Sequence, residues 1–212
     1  MSRCPLCECD VLSYFYQDKK RVYLRCLNCQ LVTVPNAYFL SVEEEKTTYD
    51  QHRNEPDDSR YRHFLGKAVY PLLAQLPAKA VGLDFGCGSG PTISIMAAEA
   101  GFFMQNFDLY YHNVPENLAC RYDFITMTEV IEHIADPHAL LKRLDSLLND
   151  SSILAIMTKW VVARPLFGQW YYKDDPTHIC FYALETFEWI ALYFGWRLEV
   201  IDSDVIFFHK RI

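Results

Sequence analysis

A ten-residue segment constrains the fold of this chain more than any other feature of its sequence. Residues 81–90 read Val-Gly-Leu-Asp-Phe-Gly-Cys-Gly-Ser-Gly, which is a short apolar run followed by three glycines at alternate positions. Such a run is typical of a buried strand, and the glycines let the backbone turn sharply and approach a ligand without an intervening Cβ atom. Helical apolar spacing resumes at Thr92. The segment therefore predicts a strand, a glycine loop and a helix, and the glycines serve either ligand binding or only the tight turn.

The chain after residue 61 alternates between helical and strand patterns. Apolar spacing predicts helices over 62–76, 92–100, 138–148 and 184–194 and strands over 79–85, 102–107, 122–127 and 153–158. This alternation indicates an α/β fold with a mostly parallel sheet that is covered on both faces. Two further runs, 196–201 and 205–209, lie too close together for a helical crossover. We therefore expect this terminal pair of strands to be antiparallel.

Two Cys-x-x-Cys motifs mark the N-terminus, Cys4 with Cys7 and Cys26 with Cys29. Their spacing is typical of a tetrahedral zinc site with four thiolates, which leaves no open position for catalysis. The β-prone runs between the motifs suit a hairpin. The sequence thus predicts a small structural zinc-ribbon over residues 1–36, with a redox pair or an iron cluster as the alternatives. Cys9 is a spare cysteine that could compete as a ligand.

Composition narrows the partners and the compartment. A net charge of −7 argues against phosphate-driven binding of nucleic acid but does not exclude a nucleic-acid partner. The charge is compatible with a small-molecule, carbohydrate or protein substrate. No apolar run reaches the roughly 18 residues of a membrane helix, and cysteines stand where a signal peptide would be apolar. We expect a cytoplasmic protein with no membrane segment, whose eight cysteines are thiols or metal ligands. The oligomeric state stays open.

An acidic stretch separates the two predicted domains. Residues 37–60 are polar and contain seven acidic residues, five of which lie in two short groups over 43–45 and 57–58. This composition predicts a linker with a short helix that lies over the next domain as a lid. The second domain then covers residues 61–212.

The glycine spacing is Gly-x-Gly-x-Gly, not the Gly-x-Gly-x-x-Gly of nicotinamide-binding folds. The segment Asp84-Phe-Gly-Cys-Gly-Ser-Gly90 resembles motif I of class I S-adenosylmethionine-dependent methyltransferases. This resemblance implies a Rossmann-like fold in which the loop cradles the amino-acid part of S-adenosylmethionine. It also implies that Asp108, at the end of the next predicted strand, binds the ribose.

Residues 122–137, Tyr-Asp-Phe-Ile-Thr-Met-Thr-Glu-Val-Ile-Glu-His-Ile-Ala-Asp-Pro, are similar to the fourth-strand motif of the same family. The resemblance places Thr128 and Glu129 at the active site, and Asp136 is a predicted N-cap for the following helix. The residues implied in cofactor binding are Asp84, Gly86, Gly88, Gly90, Asp108 and Thr128.

A second metal site is the more specific prediction. Glu129, Glu132 and His133 stand at i, i+3 and i+4, so that one helical turn would put all three on one face. With His178 as a fourth ligand, this set suits a divalent ion such as Mg, Mn, Co or Zn. The pattern resembles the metal-dependent ubiquinone-biosynthesis O-methyltransferases and small-RNA terminal 2′-O-methyltransferases.

Without a metal, the same residues have a different role. The two glutamates would orient loops, and His133 or His178 would be the general base, since an imidazole titrates near neutrality. In either case the implied catalytic residues are His133, His178 and Glu129.

The sequence departs from the family pattern after Asp108. Only 13 residues separate it from Tyr122, where most family members have a helix and a strand that includes the adenine-binding side chain. We therefore expect a shortened sheet edge. The aromatic residues of this interval that could stack on adenine, or simply cover the sheet, are Tyr110, Tyr111 and His112.

The segment after the predicted strand 153–158 is rich in aromatic residues. Trp170, Tyr171 and Tyr172 could form a wall of the acceptor site, with Arg164 or Lys173 meeting an acidic group, or they could be packing residues.

The expected reaction is SN2 transfer of a methyl group from S-adenosylmethionine to a small molecule, with O-methylation favoured. Two alternatives remain. One is an RNA or protein methyltransferase that uses the zinc-ribbon for recognition, and the other is a non-catalytic module that binds the cofactor or a partner.

Overall fold

The computed structural model describes residues 3–51 and 54–211. Positions 52 and 53 of the predicted linker, the first two residues of the predicted ribbon and residue 212 lie outside the described residues. Among the helices described, none has the length and apolarity needed to span a membrane.

Over these ranges the strands are β1 (Leu12–Gln17), β2 (Val22–Cys26), β3 (Val32–Thr33), β4 (Val81–Phe85), β5 (Phe103–Phe107), β6 (Tyr122–Thr128), β7 (Leu148–Met157), β8 (Cys180–Phe181), β9 (Arg197–Asp202) and β10 (Val205–His209). The α-helices are α1 (Val42–Tyr49), α2 (Ser59–Leu73), α3 (Thr92–Glu99), α4 (Pro137–Leu147), α5 (Arg164–Phe167) and α6 (Leu184–Phe194). Short 3-10 helices cover Asn36–Tyr38, Pro115–Ala119, Ile131–His133 and Tyr171–Asp174.

The larger sheet has six strands in the order β5-β4-β6-β7-β10-β9. Strands β5, β4, β6 and β7 are parallel, and β10 pairs antiparallel with both β7 and β9. The predicted α/β class, with a mostly parallel sheet and an antiparallel terminal strand, is confirmed. Strand β7 begins five residues before the predicted strand, because the chain extends directly from the end of α4 at Leu147.

The sheet edge is shortened, as the 13-residue interval predicts. Among the described residues no strand follows β5 on its outer side, where the chain makes a turn and the 3-10 helix Pro115–Ala119. The Asn117 side-chain amide donates to the Asn106 carbonyl at 2.9 Å, and the Tyr122 hydroxyl donates to the Asn117 carbonyl at 2.6 Å. These bonds tie the connection to the edge that a further strand would otherwise cover.

Each face of the larger sheet has its own apolar core. Helices α2 and α3 cover one face through side chains such as Leu65, Val69 and Met96. The other core contains residues of α4 and α6 and continues without interruption into the N-terminal unit, which is formed by β1, β2, β3 and the cysteine motifs. Tyr23 of this unit, for example, packs against Phe181 of β8. The N-terminal unit is therefore packed as part of the domain and not attached only through the linker.

A second sheet joins the two ends of the chain. Its order is β1-β2-β3-β8, and β3 pairs antiparallel with β8 through Val32 opposite Phe181 and Thr33 opposite Cys180. The N-terminal unit is thus completed by a strand from the last part of the sequence. The division into segments 1–36, 37–60 and 61–212 stays a prediction, and the structure adds that the first and third segments share this sheet.

Helix starts follow the local sequence. The Asp136 carboxylate accepts the Ala139 amide at 2.9 Å, which makes Asp136 the N-cap of α4 as its sequence predicts. In the linker, Ser41 and Glu44 form a capping box at the start of α1.

Close strand packing at Gly82 gives a test of the fold. A Cβ atom at this position of β4 would lie 2.2 Å from the Cζ atom of Phe124 on β6. We expect Gly82→Ala to lower the free energy of unfolding by about 1–3 kcal/mol, the usual cost of overpacking a core, as measured by urea denaturation. Adding Phe124→Leu should recover part of this loss because it removes the ring. Wild-type stability of the single variant would contradict the described packing.

Candidate functional site

A cavity of about 750 Å³ lies at the carboxyl ends of β4, β5 and β6. Its walls are the glycine loop after β4, the turn after β5, the residues after β6, helix α1 and the loop before β8. This volume is within the range of small-molecule sites. The carboxyl ends of neighbouring parallel strands are where α/β sheets bind ligands.

The glycine loop is shaped by close contacts. Gly86 and Gly88 adopt left-handed conformations, with φ of +78° and +65°. A Cβ atom at Gly86 would lie 2.4 Å from Val130 Cγ2, and one at Gly90 would lie 1.8 Å from the Asn54 carbonyl oxygen. At Gly88 the nearest atom would be Asn54 Nδ2 at 3.2 Å, and this glycine lines the large cavity. The loop therefore needs all three glycines, and Gly88 exposes its backbone to a ligand.

The carboxylate of Asp108 connects the glycine loop to the turn after β5. Its Oδ2 accepts the Gly88 amide at 3.0 Å, and its Oδ1 accepts the amides of Tyr110 and Tyr111 at 2.8 and 3.0 Å. Tyr110 and Tyr111 line the cavity, whereas His112 pairs its backbone with Asp108 and is not among the lining residues. Two of the three predicted adenine-stacking candidates thus face the cavity.

Asp84 lies beneath the glycine loop. Its side chain is 3% exposed and its Oδ1 accepts the Thr126 hydroxyl at 2.7 Å. Asp84 and Gly90 line a small neighbouring cavity, which meets the large one at Gly86 and Thr128. Burial raises the pKa of the Asp84 carboxyl to about 7.

Glu129 follows β6 in a left-handed conformation with φ of 53°, which is uncommon for a residue other than glycine. Its amide donates to the Met157 carbonyl at 2.8 Å, and its side chain lines the cavity. The predicted helical turn over 129–133 is therefore wrong in part. Only Glu132 and His133 belong to a helical turn, which is the 3-10 helix Ile131–His133.

The structure brings Glu132, His133 and His178 together. One ligand atom of each lies within 4.8 Å of those of the other two, and Glu129 is not a member of this group. The His133 Nδ1 atom lies 3.2 Å from the Thr177 carbonyl, and the His178 Nδ1 atom lies 2.7 Å from the Tyr172 carbonyl. A neutral ring that donates from Nδ1 presents its Nε2 atom as an acceptor or metal ligand.

Tyr172 connects the two glutamates. Its hydroxyl lies 3.1 Å from Glu129 Oε2 and 3.1 Å from Thr158 Oγ1, and it donates a close hydrogen bond to Glu132 Oε1. The second oxygens, Glu129 Oε1 and Glu132 Oε2, are buried and have no hydrogen-bond partner within residues 3–51 and 54–211. A bound cation or a shared proton would satisfy such oxygens.

Burial sets the charge of this cluster. Desolvation raises the pKa of both Glu129 and Glu132, and repulsion from Glu132 raises that of Glu129 further. Burial, followed by the neighbouring His133, lowers the pKa of His178 to about 4. His178 is therefore neutral near pH 7, as a metal ligand must be.

The linker contributes one wall. The ring of Tyr49 in α1 stands edge-on to the His133 ring at 5.3 Å. Glu45 in the same helix accepts the Tyr110 hydroxyl at 2.6 Å. Tyr49 has no sequence signal that identifies it as a site residue, because the predicted position of the linker over the next domain does not tell which of its side chains reach the cavity.

The aromatic segment contributes Tyr171 and Tyr172 to the cavity, but Trp170 is not a lining residue and packs against Phe167. The two basic side chains that were predicted to meet an acidic group of the acceptor, Arg164 and Lys173, lie outside the cavity. Lys173 is buried in an ion pair with Asp18 at 3.4 Å, and Arg164 lies over the Tyr14 ring.

Lys159 is the lysine that lines the cavity, held by Asp204 at 3.1 Å. Its place just after β7, at the carboxyl end of a parallel strand, is the signal that identifies it. Asp175, which precedes His178 by three residues, also lines the cavity without having been predicted.

The four cysteines of the N-terminal motifs form one cluster. The Sγ atoms of Cys4 and Cys29 are 3.5 Å apart, those of Cys7 and Cys26 are 3.4 Å apart, and all four lie within 4.8 Å of one another. Tetrahedral zinc, with Zn–S bonds of about 2.3 Å, would separate the sulfurs by about 3.8 Å. Cys9 is not a member of the cluster.

Both cysteine motifs have the same turn. The amides of Glu8 and Gln30 donate to the carbonyls of Cys4 and Cys26 at 2.9 and 3.0 Å, and both donors have a positive φ, 58° and 62°. Two equivalent turns therefore aim two thiols each at one centre, which is the arrangement that a tetrahedral metal requires.

The raised pKa of Asp84 predicts a pH dependence of stability. Between pH 3.8 and about 7 the folded state keeps a proton on this carboxyl that the unfolded state has released. Stability should therefore fall as the pH rises through this window. Relative to Asp84→Asn, whose amide oxygen can still accept from Thr126, the wild type should lose about 2–3 kcal/mol between pH 5 and 7. The free energy of unfolding is measured by urea denaturation at each pH. If it changes with pH in the same way in both proteins, the pKa of Asp84 is not raised in the folded state.

A family profile described as a methyltransferase domain matches residues 58–200. No protein of the curated collection matches. Among solved structures, the chain is similar to magnesium protoporphyrin IX methyltransferase from Synechocystis PCC 6803 with bound S-adenosylhomocysteine. The identity is 15%, the match covers 82% of this chain and 97% of that one, and the TM-score is 0.55.

Two further solved structures have the same fold. The 1,6-didemethyltoxoflavin-N1-methyltransferase from Burkholderia thailandensis is 14% identical over 94% of this chain and 100% of that one, with a TM-score of 0.53. The CalO1 methyltransferase of calicheamicin biosynthesis is 14% identical over 84% of this chain, with a TM-score of 0.50, and the match spans 60% of that longer chain. The chain belongs to the methyltransferase-domain family and is a class I S-adenosylmethionine-dependent methyltransferase.

Proposed function

We propose that this enzyme transfers a methyl group from S-adenosylmethionine to a hydroxyl of a small molecule. One observation carries the proposal: a single cavity joins the glycine loop and Asp108 at one end to Glu129, His133 and His178 at the other. Its volume of about 750 Å³ is sufficient for a cofactor with a small acceptor beside it.

The cofactor end is formed by the glycine loop and the turn after β5. Gly88 exposes its backbone to the cavity, and Asp108 Oδ2, which accepts one amide, keeps capacity for a hydrogen bond from a ribose hydroxyl. Tyr110 and Tyr111 stand beside Asp108, where they would stack on adenine. The residues proposed to hold the cofactor, directly or from beneath the loop, are Asp84, Gly86, Gly88, Gly90, Asp108 and Thr128.

The acceptor end supplies the chemistry. The acceptor oxygen attacks the methyl carbon, a C–O bond forms as the C–S bond breaks, and S-adenosylhomocysteine leaves. His133 takes the proton of the acceptor hydroxyl at Nε2, because its Nδ1 is directed at the Thr177 carbonyl. Glu129 lines the same part of the cavity and would orient the hydroxyl.

A divalent ion fits the same end. Glu132, His133 and His178 would hold it, since their ligand atoms lie within 4.8 Å and both histidines have Nδ1 directed at backbone carbonyls. Mg, Mn, Co or Zn suits such a mixed oxygen and nitrogen set. When bound, the ion would supply a lowered pKa and a fixed orientation for the acceptor hydroxyl. With His133 as a ligand, Glu129 would be the residue that takes the proton.

We also propose that Cys4, Cys7, Cys26 and Cys29 hold a structural zinc ion. The support is the distance between the sulfurs and the matching turns of the two motifs. Four thiolates close the coordination shell, so this ion would have no part in methyl transfer.

Cofactor binding tests the proposal. The wild type should bind S-adenosylhomocysteine with an affinity in the micromolar range in calorimetric titration. Gly88→Val and Asp108→Ala should each weaken binding at least tenfold, because one fills the cavity end and the other removes the ribose acceptor. Asp150→Ala, at an exposed position, is the matched control. Unchanged affinity in both variants would remove the glycine loop and Asp108 from the site, and absence of binding by the wild type would overturn the proposed function.

The second ion has its own test, a titration with Mn²⁺ followed by electron paramagnetic resonance. His178→Ala and Glu132→Gln should weaken Mn²⁺ binding at least tenfold, since each removes a ligand. His63→Ala, an exposed histidine of α2, should bind as the wild type does. Elemental analysis should find one zinc per chain in all four proteins. If the wild type binds no Mn²⁺, Co²⁺ or second Zn²⁺, His133 acts as a base without a metal.

A further inference from the structure

Arg21 of the N-terminal unit is buried against the loop that leads to His178. It lies just before β2 and is 7% exposed. Its guanidinium donates to the backbone carbonyls of His178 at 2.8 Å, Asp175 at 3.0 Å and Pro176 at 3.3 Å, and more closely to that of Lys173. An arginine offers five N–H groups, and the fifth, on Nε, points at the Tyr23 hydroxyl at 3.3 Å. Every donor of this side chain is therefore used, and four of them hold one loop.

Other contacts cross the same junction. The buried Lys173 ammonium lies 3.4 Å from Asp18 Oδ2, and Asp18 also accepts the amide of Arg21 at 2.8 Å. Beyond the loop, Val34 donates its amide to the Ile179 carbonyl at 3.1 Å, next to the pairing of β3 with β8. The N-terminal unit thus holds the segment 173–181 along its whole length.

The backbone carbonyls of this loop fall into two groups, one that faces the two histidine rings and one that faces Arg21. Those of Tyr172 and Thr177 face the rings of His178 and His133. Those of residues 173, 175, 176 and 178 face Arg21. Between the 3-10 helix Tyr171–Asp174 and strand β8 the loop has no regular structure of its own, so these side chains fix its path.

We propose that the N-terminal cysteine unit positions the acceptor end of the active site, and that Arg21 is the positioning residue through which it does so. Arg21 holds the loop from behind, and the loop then fixes the orientation of both histidine rings. Arg21 projects from the hairpin β1–β2, whose second strand ends at Cys26 of the cysteine cluster. The inference rests on the proposed function only in that it gives His133 and His178 a role in methyl transfer.

The test is hydrogen–deuterium exchange of the full chain, followed by mass spectrometry. Arg21→Ala should speed exchange in peptides over 171–179 at least tenfold and leave the glycine loop over 84–90 unchanged. Arg25→Ala is the matched control, because Arg25 lies on the same hairpin with its guanidinium 4.5 Å from the Phe15 ring. Wild-type exchange over 171–179 in Arg21→Ala would overturn the proposal.

A spectroscopic readout separates positioning from general stability. The wild type should show a downfield ¹H resonance for the His178 Nδ1–H that faces the Tyr172 carbonyl, assigned by its loss in His178→Ala. Arg21→Ala should lose this resonance and Arg25→Ala should keep it, while both bind S-adenosylhomocysteine as the wild type does. Retention of the resonance in Arg21→Ala would overturn the positioning role.

If Arg21→Ala does not fold, Arg21→Lys replaces it. Lysine keeps the charge but has at most three donors for the four carbonyls, so exchange over 171–179 should still rise. Wild-type exchange and an intact ring resonance in folded Arg21→Lys would overturn the proposal. These readouts need no methyl transfer, so a wild type that fails to bind S-adenosylhomocysteine would remove the proposed function and leave this result standing.

Discussion

The parallel alignment of β4, β5, β6 and β7 is the constraint on which the site depends. Asp84 on β4 lies opposite Asn106 on β5 and Thr126 on β6, so that the three strands end at the same level. This register brings the glycine loop, Asp108 and Glu129 to one edge of the sheet, although Asp84 and Glu129 are 45 positions apart in the sequence. A shift in register would separate the proposed cofactor residues from the proposed catalytic ones.

The site concentrates buried acids in a way that a purely structural core would avoid. Asp84, Glu129 and Glu132 all have pKa values raised by burial, and two of them have an oxygen without a hydrogen-bond partner among the described residues. An isolated carboxylate in such surroundings is costly, and it is tolerated where a proton, a cation or a ligand compensates it. The left-handed backbone of Glu129 adds strain at the same place.

Sequence patterns predicted what is local, and missed what depends on distant contacts. The apolar run before Gly86, the close terminal strands and the short interval after Asp108 identified most of the larger sheet and its edge. The turn at Glu129 was missed, because helical spacing from Glu129 to His133 does not reveal a positive φ. Arg21 was missed for another reason. Its hydrogen bonds reach carbonyls about 155 positions away, and backbone acceptors leave no pattern in the sequence.

The pairing of β3 with β8 has a consequence for how the chain assembles. The N-terminal unit is synthesised before β8, so the edge of its sheet at β3 stays open until Cys180 and Phe181 have been made. Contacts between such distant segments form late and slow the folding of a domain. The N-terminal unit therefore precedes the larger sheet in the chain and yet is completed late, and the loop that leads to His178 takes its final position in the same step.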